Sequence, residues 1–273
     1  MRVRAPGSSA NLGPGFDCLG LAIDVPFVLS DQPEPNLLPV EPQHPAAVAH
    51  RHAGGEGALF WKSSIPPGRG QGFSGAARVA GAFLAACQSG LDDAAARVRA
   101  FHEATELEGH PDNAAPSAFG GFTVASRHRW CTISCAIDFE LVMWWPQAST
   151  STQQSRSVLP DTVSLDDAVF NVGRSSLLVA ALASGDAELV GYAMQDRLHQ
   201  RQRLEAAPGS LEVFEMWEEM GAISVWLSGS GPTVAAMVPP RDAERFCAST
   251  TAGRVRVTGV DQQGAQRVDD PGL

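Results

Sequence analysis

Lysine is almost missing from this chain. Among its 273 residues, 20 are basic, and only Lys62 is a lysine. It lies in Trp61-Lys62-Ser63-Ser64, not behind a glycine-rich turn. That excludes a Walker A loop, which needs Gly-Lys-Ser/Thr. The setting also differs from the Val-Ala-Ile-Lys strand of protein kinases. With a single candidate amine, Schiff-base chemistry is not expected. Any phosphate handled here must meet arginine, backbone N–H groups or metal. Charge is scarce as a whole: 18% of residues are charged, and 30 acids against 20 bases give a formal net charge of −10. A nucleic-acid surface needs a basic stripe, so no nucleic-acid partner is expected. No apolar run approaches the roughly 18 residues of a membrane span, so no membrane contact is expected either. Residues 1–7 lack the apolar region of a signal peptide. The five cysteines (Cys18, Cys87, Cys131, Cys135, Cys247) are odd in number and scattered. Cys131 and Cys135 have no second pair and no histidine at zinc-ligand spacing. Free thiols in a reducing cytoplasm are the expectation.

What is present is a 44% hydrophobic composition, enough for a sizeable core in one large domain or two intimate ones. Residues 3–24 read as a strand that enters a glycine-rich loop and leaves as a second strand. The proline-dense stretch 26–45 cannot be a regular helix. A strand at 58–63 precedes a second glycine-rich loop, which runs into an alanine-rich helix ending at Gly90. Helices follow to about 107 and through 118, then strands at 122–125, 130–137 and 139–144. Helices are expected at 166–184, 187–204 and 211–221. Strands at 224–227 and 234–238 flank a third glycine-rich loop, and a last helix and strand end near 260. The polar tail from Asp261 is expected to fray. The pattern is α+β, with a seam near 137–145 that divides the chain into units 1–138 and 139–273.

The second loop carries the strongest chemical signal. Pro66-Pro67-Gly68-Arg69-Gly70-Gln71-Gly72-Phe73-Ser74-Gly75 leads straight into a helix. Glycines let successive N–H groups converge on an anion, and a helix N-terminus adds about half a positive charge. A ligand-free strand-to-helix connection is the plain alternative. In the first loop, Asn11 and Asp17 stand beside backbone freed by Gly13 and Gly15. Asparagine can both donate and accept, and aspartate can hold an ammonium or hydroxyl; an Asx turn is the plain alternative. Glu106 and Glu108 end one helix, and Asp112-Asn113 open the next. Carboxylates near a phosphate cradle suit Mg²⁺, a hard cation that prefers oxygen. Asp112 reads equally as a helix N-cap, and His110 as a locally bonded turn residue. Arg156 and Arg203 could clamp a carboxylate with two parallel bonds.

The order of these motifs resembles the superfamily of galactokinase, homoserine kinase, mevalonate kinase and phosphomevalonate kinase, the GHMP kinases. Within it the chain is most similar to the homoserine kinase family. The matching segments are Ser9-Ala10-Asn11-Leu12-Gly13-Pro14-Gly15-Phe16-Asp17, and Glu108-Gly109-His110-Pro111-Asp112-Asn113-Ala114-Ala115-Pro116 closed by Gly120-Gly121. Further on come Ser151-Thr152 to Arg156 with Val158-Leu159-Pro160, then Asp196 through Leu198-His199-Gln200 to Arg203, then Ser228-Gly229-Ser230-Gly231-Pro232. The resemblance implies a two-domain fold: an N-terminal α/β domain like that of a ribosomal protein, and a C-terminal ferredoxin-like domain, with the active site between them.

It further implies an ATP-dependent kinase that phosphorylates the side-chain hydroxyl of homoserine, with ATP and Mg²⁺ as cofactors. ATP would lie over Pro66, Gly68, Arg69, Gly70, Gly72, Phe73, Ser74 and Gly75, with Ser74 and Glu106 or Glu108 at the metal. Homoserine's ammonium and hydroxyl would meet Asn11, Asp17 and Asn113, and its carboxylate Arg156 and Arg203, with Thr152 nearby. Asn11, Asp17, Asn113 and Arg156 are the expected catalytic group. A homodimer is the working expectation for assembly. The second loop departs from the family's Gly-Leu-Gly-Ser-Ser-Ala at Gln71, Phe73 and Gly75. Another hydroxylated acceptor, or a weakly active nucleotide-binding regulator, therefore stays open as an alternative.

Overall fold

The computed structural model describes residues 1–149, 152–250 and 252–268. Strands β1 (Arg2–Ala10) and β2 (Leu19–Ser30) form an antiparallel pair, with Val3 opposite Leu29 and Ala10 opposite Gly20. Pro6 faces Pro26, and the register shifts at the next step, between Pro6 and Gly7. Neither proline can donate to a ladder, so the two sit together where pairing lapses into a bulge. The same long β2 pairs β4 (Phe60–Ser63) along one part of its length and β5 (Phe122–Ser126) along another. β3 (Leu38–Pro39) joins β4, and β6 (Arg129–Ile133) joins β5.

Helices α1 (Pro45–His52), α2 (Phe73–Gln88), α3 (Asp93–Glu108) and α4 (Ala114–Phe119) cover this sheet. The alanines of α2 are buried almost without exception, which lets the helix lie close to β1 on one side and to α1 and α3 on the others. Small side chains permit that approach, so the helix is apolar nearly all round.

The second sheet has the order β10-β7-β9-β8, built from β7 (Glu140–Trp145), β8 (Ser224–Leu227), β9 (Val234–Val238) and β10 (Arg254–Thr258). Its alternation is read by two cores. Leu141, Met143, Trp226, Ala235 and Met237 join the large core shared with the first sheet. Val142, Trp144, Val225, Val234, Ala236 and Val238 pack with Trp217 and Phe246 of α9 (Pro208–Glu219) and α10 (Ala243–Ala248). Both faces are covered, which is why these strands read as apolar runs. Helices α5 (Thr152–Ser157), α6 (Leu165–Ser184), α7 (Ala187–Ala193) and α8 (Gln200–Glu205) complete the second half.

Two expectations need correction. The helix expected over 187–204 is interrupted between α7 and α8. The buried carboxylate of Asp196 accepts hydrogen bonds from the N–H groups of Leu198, His199 and Gln200, and these compete with helical ones. The tail does not fray at Asp261 either. β11 (Gln266–Arg267) pairs with β1 in the first sheet. Asp261 is buried, bonds Arg4, and accepts from the N–H groups of Gln263 and Gly264. A strand near the end of the described residues thus joins the sheet that begins with β1. Among the described residues, no helix is long and apolar enough to cross a membrane.

Candidate active site

The three glycine-rich loops meet at one cleft of about 310 Å³. A relay of hydroxyl groups fixes them. The Trp226 indole N–H donates to Ser9 Oγ at 2.9 Å, and Ser228 Oγ donates to the Gly70 carbonyl at 2.6 Å. The Ser9 and Ser228 oxygens are 2.7 Å apart. Since the Ser228 proton is already engaged, Ser9 must be the donor in that pair. One chain of bonds therefore crosses from β8 through β1 and the third loop to the second.

Helix α2 opens into the cleft. Its N-cap, Gly72, is left-handed at φ 69° and makes no side-chain capping bond. A Cβ at Gly72 would lie 2.0 Å from Ser8 Oγ, so only glycine lets the loop turn here. The first N–H groups of the helix are left without intrahelical partners and carry the positive end of the helix dipole. Phe73, the residue that replaces a hydroxyl, turns its ring to Phe27, His44 and Trp61, edge-on at 5.6–5.7 Å. Its backbone still opens the helix.

Asp17 and Arg156 form an ion pair across the cleft mouth at 2.6 Å. Arg203, nearly buried, donates from Nε to the Ser155 carbonyl at 3.2 Å and from Nη1 to the Gly229 carbonyl at 3.4 Å. Burial, with Arg156 close by, lowers its pKa to about 10. His199 is fully buried and donates from Nε2 to the Gly13 carbonyl at 2.8 Å, so its Nδ1 is the acceptor for Arg203 at 3.3 Å. Burial pushes the His199 pKa down, which agrees with a neutral ring. The Phe16 ring stacks on His199, and both arginines lie over it.

At the floor, His110 Nδ1 bonds Asp112 Oδ1. Burial opposes a charge on His110, but the Asp112 carboxylate, aided by Glu108 and Asp17, overcomes it and raises the pKa to about 9. His110 is thus a cation at neutral pH. Asn113, not Asp112, is the N-cap of α4, and its Oδ1 accepts from Ser8 Oγ at 2.9 Å.

Most of the expected residues line this cleft: Asn11, Asp17, Asn113, Arg156, Arg203, Gly68, Arg69, Gly70, Gly72, Phe73, Ser74, Gly75 and Glu108. Some are already engaged. Asn11 is buried; its Nδ2 donates to the Gly229 carbonyl at 2.8 Å and its Oδ1 accepts from the Asp17 N–H at 3.0 Å. It shapes the loops more than it offers polar atoms to a ligand. The Arg69 guanidinium donates to the carbonyls of Pro67, Pro146 and Gln147. Pro66 is half-buried outside the cleft lining. Glu106 is exposed and sits with His52 and Glu103 away from the cleft. The Thr152 side chain, like Ser151, lies outside the described residues. The lone lysine, Lys62, is on β4 and not in the cleft lining.

The sequence reading missed Arg78. Its Nη1 donates to both Ser74 Oγ and Glu108 Oε1. These are the two oxygens of the expected magnesium set that reach the cleft. A cation already joins them, and Glu106 is elsewhere, so Ser74, Glu106 and Glu108 as arranged do not fit that ion. Arg78 stands four positions after Ser74, one helical turn along α2, a spacing that could have flagged it.

Residues 178–250 match the family model for the C-terminal part of GHMP kinases. A homoserine kinase of Desulfitobacterium hafniense is 34% identical, aligned over 97% of this chain and 99% of that one. A homoserine kinase of Moorella thermoacetica is 38% identical over 86% of each. Among solved structures, homoserine kinase from Cytophaga hutchinsonii superposes with a TM-score of 0.83 at 25% identity, covering 98% of this chain and 97% of that one. A mevalonate kinase, 11% identical with a TM-score of 0.69, shares the fold.

Proposed function

This chain belongs to the homoserine kinase family of the GHMP kinases, and from that premise we propose how its cleft transfers the γ-phosphoryl group of ATP to the side-chain hydroxyl of homoserine. The observation that carries the reading is that the N-terminus of α2, without a side-chain cap, lines one cleft with Arg156 and Arg203. The helix end suits a polyphosphate, and the partly exposed Arg156 suits a carboxylate. Full-length relatives of one activity favour this acceptor over other hydroxylated metabolites and over a silent regulator.

The α2 N–H groups receive the charge that develops on the transferred phosphoryl oxygens. Arg156 holds the homoserine carboxylate, while Arg203 stiffens the wall behind it. Asp17 and Asn113 orient the ammonium and hydroxyl ends. The acceptor oxygen forms its bond to phosphorus as the bond to the ADP oxygen breaks. His110 is protonated at neutral pH and is no base there. The hydroxyl proton passes instead to a phosphoryl oxygen. Catalysis is then mostly positioning. The chain works in the cytoplasm, a setting that its five free thiols suit.

The test is ADP release by the purified protein with ATP, divalent cation and homoserine. Homoserine-dependent release with formation of O-phosphohomoserine is expected, and no release above the homoserine-free rate would sink the reading.

A further inference from the structure

We propose that Arg78 is a resident cation of the phosphate cleft, binding the nucleotide polyphosphate directly from the position between Ser74 and Glu108. The inference rests on the kinase reading above.

Three observations carry it. The first is placement. Arg78 lies one turn into α2, lines the same cleft as the open helix N-terminus, and reaches back to Ser74 at its mouth. A phosphate drawn to the first N–H groups of α2 therefore arrives beside a guanidinium. The second is what holds it. Glu108, 7% exposed, anchors Nη1 from α3, so the charge is fixed in place before any ligand comes. A guanidinium carries five donors in a rigid fork. Here both bonds come from Nη1, and Nη2 has no bonded partner among the described residues. Donors remain for phosphate oxygens while Glu108 stays bonded. The third is that the other cations lining the cleft, among the described residues, are held by other partners. The Arg69 guanidinium is engaged by carbonyls, Arg156 pairs with Asp17, Arg203 donates to the Ser155 and Gly229 carbonyls, and His110 is bonded to Asp112. Arg78 is the arginine of α2 itself, bonded to Ser74 in the first turn.

A fixed arginine that binds polyphosphate makes nucleotide affinity less dependent on divalent metal. Removing it also frees Ser74 and Glu108, two oxygens that a divalent cation could then take.

The experiment is ATP binding to the full chain by calorimetry, without homoserine, once with magnesium and once with EDTA. For the wild type, affinity with EDTA is expected within about fivefold of that with magnesium. For Arg78→Met, affinity with EDTA falls by at least about tenfold further, and magnesium restores it to within about threefold of the wild type. Arg78→Lys keeps the charge but loses the fork, and lies between the two; it supplies the comparison if Arg78→Met does not fold. A merely structural arginine would weaken binding equally in both conditions, leaving the ratio unmoved. An equal EDTA-to-magnesium ratio in wild type and variant overturns the proposal and leaves the kinase reading intact. No ATP binding by the wild type in either condition overturns both.

Discussion

Gly75 and Asn113 touch across the base of the cleft. A Cβ on Gly75 would stand 2.8 Å from the Cβ of Asn113, closer than two such carbons can settle. A glycine that looks from the sequence like a weak start to α2 is thus what lets α4 bring Asn113 to the second loop. Gly75→Ala is expected to lower kcat/KM by about tenfold, because a shift of one ångström in a positioning group can cost even more. The thermal midpoint should move little, since the helix gains about 0.5–1 kcal/mol of propensity against the local strain. Steady-state kinetics beside a thermal melt checks this, and unaltered kcat/KM would contradict it.

The two arginines should separate cleanly. Arg156 is 40% exposed, while Arg203 is buried with three acceptors around it. Arg156→Ala should raise the KM for homoserine by about tenfold or more with stability nearly unaltered. Arg203→Ala should destabilise the fold by about 2–4 kcal/mol, since it leaves the Ser155 and Gly229 carbonyls and the His199 ring without their donor. Denaturant melts and homoserine titrations on both variants distinguish these roles.

His110 should make stability depend on pH in a stated direction. Its folded pKa, about 9, lies above its ordinary value of 6.5. The protonated form is therefore favoured by folding. Its contribution is complete below about pH 6.5 and is lost as pH rises through about 9. The stability difference between wild type and His110→Gln, measured by urea melts from about pH 6 to about pH 10, should shrink across that window. A difference that grows with pH would show the charge assignment to be wrong.

Lys62→Ala should leave kcat/KM within about twofold of the wild type. The residue sits on β4 opposite Val28 and does not line the cleft. Exposed or half-exposed substitutions away from a site usually act weakly. A large loss of ATP affinity would mean that the nucleotide lies elsewhere.

Much of the fold was legible because it depends on neighbours in sequence. The alanine-rich run to Gln88 became α2, and the apolar stretches around Val142 and Val234 became strands of a sheet covered on both sides. The misreadings share another cause. The run after Ala187 has helical composition, but the carboxylate of Asp196 offers backbone N–H groups a competing partner. The polar tail has too few apolar residues to suggest order. Its described part, residues 261–268, is held by Arg4, remote in sequence, and by pairing with β1.

The site divides in the same way. The near-absence of lysine made arginine, backbone N–H groups or metal the expected partners of any phosphate, and the glycine spacing pointed to the start of α2. Both follow from residue type and from backbone freedom within a few positions. Only the tertiary structure decided which side chains remain available there. It joined Asn11 to Gly229, set Asn113 against Gly75, and put Arg78 between Ser74 and Glu108. Glu108 lies 30 positions from Arg78 and meets it only because α2 packs on α3. A charge pair of that kind depends on distance in space, which no spacing along the chain reports.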